Sequence, residues 1–97
     1  MERIEAIHPD PEKAGVRILR WKYDSVKKAI LEVVPRKEPG IPFKELPGKV
    51  RSALSPDHLA GLGSVSWYTT TVKLDLEARG EIARVKGARP QRLVRSS

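Results

Sequence analysis

The chain has 97 residues, no cysteine and a net charge of +7, which bounds it to one modest core and excludes disulfides and thiolate metal sites. An apolar fraction of 39% is enough for a folded domain and excludes disorder along the whole length. No apolar run approaches the roughly 18 residues needed to span a bilayer, and Met1 to Glu5 carries no signal-peptide core, so the expectation is a cytoplasmic protein without a membrane partner.

Ile4 and Ala6 alternate with charged residues, as in a short strand. His8-Pro9-Asp10-Pro11 then forces a turn, because each proline steers the residue before it away from helix. Val16 and Ile18 are placed to pair back. These residues, 1–20, read as an N-terminal extension with short strands, and residues 21–97 as the domain proper. From Trp21 to Val34 the apolar period becomes helical, with Tyr23, Val26, Ile30, Val33 and Val34 on one face. Pro35 ends that helix. Ile41-Pro42-Phe43 is too short for a helix and reads as a minimal strand. Lys44 to Leu54 predicts a second helix with Leu46, Val50, Ala53 and Leu54 inward. Ser55-Pro56-Asp57-His58-Leu59 reads as a capped helical turn, and Gly61 and Gly63 as a flexible turn after it. Ser64 or Ser66 caps a third helix that runs to Arg79, with Val65, Tyr68, Val72 and Leu76 as its buried stripe. Gly80 is placed just past its end, where a left-handed backbone costs glycine little. Glu81 to Val85 and Gln91 to Arg95 then alternate with period two around a Gly/Pro-containing loop, the pattern of a β-hairpin.

The charge is unevenly placed. Through Ala78 there are 13 Lys/Arg against 11 Asp/Glu, whereas Arg79 to Ser97 holds 6 Lys/Arg against the single acid Glu81. A basic end on a nearly neutral body points to a polyanionic partner, although the same residues can also be a solvated tail.

The order helix, short strand, helix, turn, helix, hairpin resembles a winged helix-turn-helix domain. The resemblance runs from Trp21 to Arg95 and is carried by Leu76-Glu77-Ala78-Arg79-Gly80-Glu81-Ile82, similar to the family's third-helix ending, and by Gly40-Ile41-Pro42-Phe43-Lys44-Glu45-Leu46, similar to its first strand and second helix. With its His8-Pro9 start, the whole chain looks like a small uncharacterised bacterial family of stand-alone winged-helix proteins. The resemblance implies an α+β fold of three helices plus a C-terminal β-hairpin wing, and it implies no specific target.

A third helix of that kind can lie in the major groove of DNA. Ser66, Thr69, Thr70 and Lys73 are expected on its exposed side, where hydroxyls meet phosphates or base edges. They lack the Arg, Asn and Gln that make bidentate base contacts, so modest base specificity is expected. Arg84, Lys86, Arg89, Arg92 and Arg95 lie on the hairpin and are expected to follow phosphates or enter a minor groove. Asp75, Glu77 and Glu81 count against DNA unless they point away from it. Trp67 and Tyr68 read as packing residues rather than base-stacking platforms, and Trp21 as core or subunit interface.

His8 and His58 have no ligand partner at metal spacing. Gly61-Leu62-Gly63-Ser64 lacks the lysine and spacing of a phosphate loop. No metal, no cofactor and no catalytic site is expected, and an enzyme is the least supported class. Two functions stand. One is a DNA-binding regulator or nucleic-acid accessory with double-stranded DNA as partner, plausibly as a homodimer, and RNA is not excluded. The other is a protein-interaction module on the same scaffold, which would show an exposed apolar patch led by Trp67.

Overall fold

A computed structural model describes residues 2–96. In chain order the elements are β1 (Arg3–Ala6), β2 (Val16–Leu19), α1 (Arg20–Val33), β3 (Ile41–Pro42), a 3-10 turn (Phe43–Glu45), α2 (Leu46–Ala53), α3 (Pro56–Leu62), α4 (Val65–Ala78), β4 (Ile82–Arg84) and β5 (Arg92–Arg95). β1 and β2 pair antiparallel, with Arg3 opposite Leu19 and Ala6 opposite Val16. Their link is held by local bonds: Asp10 N–H donates to His8 Nδ1 at 2.9 Å, and Lys13 N–H to the Asp10 carbonyl at 3.0 Å. A second sheet has the order β3-β5-β4, with Ile41 opposite Leu93 and Ile82 opposite Arg95.

The helix ends follow local chemistry. α1 stops because Val34 is held extended before Pro35. Ser55 and Ser64 each accept a backbone N–H in the first turn of the helix they precede, from His58 and Trp67. At the end of α4, Gly80 has φ of 78° and its N–H reaches the Glu77 carbonyl, while the Glu81 N–H reaches that of Leu76. This crossed pair of bonds satisfies the last carbonyls and needs a left-handed residue between them.

One core joins these parts. Val26 and Ile30 from α1, Leu46 and Val50 from α2, Leu62 from α3, Val72 and Leu76 from α4, Ile82 and Leu93 are all fully or almost fully buried. Each such side chain contributes on the order of 1.5–3 kcal/mol by leaving water. Ala6 and Ile18 extend the same core into the N-terminal hairpin. Gly40, with φ of 72°, brings β3 so close to β5 that a Cβ there would collide with the Leu93 carbonyl oxygen.

The three-helix-plus-wing architecture is overturned. Among the described residues, four helices lie between two separate hairpins, one at each end, and the C-terminal hairpin is the larger part of a three-stranded sheet. The class remains α+β, but the arrangement is not the winged helix-turn-helix that the resemblance implied. The fourth helix is α3. Its capped start was legible, but it runs on through Gly61 because Leu59 and Leu62 pack inward and Gly61 itself lies against the Trp21 ring. Tertiary burial thus outweighs the weak helix preference of one glycine. Among the described residues, no helix is long and apolar enough to cross a membrane.

Candidate nucleic-acid interface

α4 packs against α1, α2, β1 and β4, so its buried arc is wide. Val65, Thr69, Val72, Lys73, Asp75 and Leu76 are all buried. Of the four helix residues expected to face a partner, only Ser66 and Thr70 are exposed. Thr69 is fully buried, and Lys73 is 2% exposed. The Lys73 Nζ sits 2.8 Å from Glu77 Oε2 and 4.5 Å from the Phe43 ring centroid. The expectation that both lie away from the buried stripe is corrected. The inward stripe steps 65, 69, 72, 76, which puts Thr69 on it and leaves Tyr68 half-buried.

The acids near the end of α4 each have a cationic partner within the chain. Asp75 is fully buried. It accepts the Tyr23 phenol, the Ile7 N–H at 2.9 Å, and the Arg79 Nε at 2.9 and 3.0 Å on its two oxygens. Burial first, and the bond to Asp75 second, raise the Tyr23 phenol well above its ordinary pKa, while the bond to Asp75 raises that of Arg79. Glu77 is held between Lys73 and the Arg84 Nε, the latter at 2.7 Å. Glu81 pairs with Lys27 at 3.4 Å. Each acid of this segment is therefore matched by a cation.

The hairpin cations fare differently. Arg84 shares the Glu77 carboxylate with Lys73. Arg92 donates from Nε to the Pro39 carbonyl at 2.7 Å and from Nη2 to the Gly40 carbonyl at 3.1 Å; both acceptors are neutral, so its charge is uncompensated. Arg95 is half-buried, and its Nε has no hydrogen-bond partner among the described residues. Lys86 and Arg89 are exposed in the β4–β5 loop, and neither forms an ion pair among the described residues. The loop is closed by the Val85 N–H on the Arg92 carbonyl at 2.8 Å.

Over residues 3–93 the chain matches the model of a family described as a family of unknown function, DUF6958. The chain belongs to the DUF6958 family. The DUF6958 match takes in the N-terminal hairpin, all four helices and the β4–β5 loop, and stops within β5. No curated protein and no solved structure matches the chain.

The packing role expected for Trp67 is corrected. It is 47% exposed and stands edge-on to Tyr68, with ring centroids 4.8 Å apart. Among the described residues, no group of three or more His, Asp or Glu side chains is arranged to hold a metal.

Proposed function

We propose that this protein binds nucleic acid by its phosphate backbone, through the C-terminal hairpin. The observation that carries this reading is the charge balance of residues 75–96. Every acid there is paired, while Lys86, Arg89, Arg92 and Arg95 meet no carboxylate among the described residues. Uncompensated positive charge on one element is the electrostatic footprint of a polyanion site. With Thr69 and Lys73 buried, α4 offers few groups to base edges, so the contacts are to phosphate and the binding is tolerant of sequence.

The test is fluorescence anisotropy with a mixed-sequence duplex over a salt series. Wild type is expected to bind with steep salt dependence. A Lys86→Ala/Arg89→Ala variant is expected to bind more weakly, its log–log slope shallower by about 1.8 if each side chain meets one phosphate. Absence of binding at low salt, or an unchanged slope in the variant, overturns the reading.

A further inference from the structure

Trp67 and Val16 are the large apolar side chains exposed among the described residues, and they lie on different elements. Trp67 is thus not the centre of a broad apolar patch. Its neighbours in the chain are the exposed Ser64 and Ser66, the half-buried Tyr68 and the exposed Thr70. A protein interface of useful strength needs a contiguous apolar centre, which this surface does not offer.

It offers rings and a cation. Trp67 is edge-on to Tyr68. The Lys22 Nζ lies 5.2 Å from the Tyr68 ring centroid and 5.7 Å from that of Trp21, and it is fixed there by donating to the Leu62 carbonyl at 3.0 Å. Trp21 in turn packs on His58, with centroids 5.4 Å apart. Tyr68 stands between the Lys22 ammonium and Trp67 in this chain of contacts, and Trp67 keeps nearly half of its surface in water. An exposed ring next to Tyr68, which itself carries the Lys22 cation on its ring, on a chain of net charge +7, suits a planar ligand that carries negative charge.

We infer that Trp67 is a stacking platform for an unpaired nucleobase, so that the partner includes single-stranded nucleic acid. This rests on the nucleic-acid reading above and names the kind of strand. Base–aromatic stacking tolerates any sequence, in keeping with a backbone-directed hairpin. A fully paired duplex hides its base faces and cannot use the platform.

The experiment titrates the full chain, by anisotropy and by tryptophan fluorescence, with an oligothymidylate, a matched duplex and inorganic polyphosphate. Oligothymidylate is expected to quench the fluorescence, and duplex and polyphosphate to bind with little quenching. Trp67→Ala is expected to weaken oligothymidylate binding about tenfold with the salt slope unchanged, and to leave polyphosphate binding as it was. Trp67→Phe, which keeps a ring, recovers most of the affinity. Binding of all three polymers without quenching and without an effect of Trp67→Ala overturns the stacking inference alone. Failure of all three to bind overturns the nucleic-acid reading and the inference with it.

Discussion

The backbone N–H of Ile7 donates to Asp75 Oδ1 at 2.9 Å across 68 positions of the chain. The same carboxylate takes the Tyr23 phenol and the Arg79 guanidinium, and Arg79 reaches back to the Glu5 carbonyl at 3.2 Å. One buried side chain thereby ties β1, α1 and α4 together. Asp75→Ala strands a buried phenol and a part-buried amide and removes the polar tie between the N-terminal hairpin and α4. The expected loss is about 2–4 kcal/mol, set by the phenol and the amide left without a partner, since the exposed Arg79 returns to water. Urea unfolding of both proteins measures it. A loss below about 1 kcal/mol, within the ordinary net worth of a single hydrogen bond, would show that the network adds nothing to the fold.

Tyr23 gives that network a pH dependence. Its phenol is buried and its pKa raised in the folded chain, whereas the unfolded chain releases the proton near the ordinary value of about 10. A raised folded pKa contributes stability that is fully present below the unfolded pKa and is lost as pH rises toward the folded one. Between those values unfolding releases a proton, and stability falls by about 1.4 kcal/mol per pH unit from this group. Tyr23→Phe is less stable at neutral pH, but its stability should decline less steeply above pH ~10. Denaturation midpoints at several alkaline pH values, compared between the two proteins, check this. Parallel declines would mean that Tyr23 keeps its ordinary pKa.

The pattern of the chain reveals what local chemistry determines. The α1 face, a serine cap on α4, the Gly80 stop and the extended C-terminal hairpin all rest on neighbours a few positions away, and all of them stand in the structure; the period-two alternation does not, since β4 is buried at Ile82 alone. What the pattern hides depends on distant partners. Asp75 reads as a surface charge on α4 because nothing nearby announces that Ile7 and Tyr23 will enclose it. Lys73 reads as exposed because its partners are Glu77, one turn on, and Phe43, thirty positions earlier. The expected architecture failed for a similar reason: α3 is made a helix by the burial of Leu62 against a core assembled from the whole chain.

Lys73 distinguishes charge that meets solvent from charge that does not. The sequence pattern sets it among the partner-facing residues, yet its ammonium is enclosed by Glu77 and the Phe43 ring. Counterion release counts cations that touch phosphate, not cations in the sequence. Lys73→Met removes the same formal charge as Lys86→Ala while keeping an unbranched side chain against Phe43, where the thioether packs well on an aromatic ring. Lys73→Met is therefore expected to leave the salt slope for duplex binding where it was, whereas Lys86→Ala makes it shallower by about 0.9. Stability should respond in the opposite order. Glu77 retains Arg84 but loses its closest buried partner, at a cost of about 1–3 kcal/mol, while the loss of the exposed Lys86 falls within roughly 0.5 kcal/mol of neutral. Anisotropy over a salt series and urea unfolding on the same two variants test both halves. A shallower slope for Lys73→Met would mean that the turn carrying Phe43 opens on binding and lets the ammonium reach the phosphates.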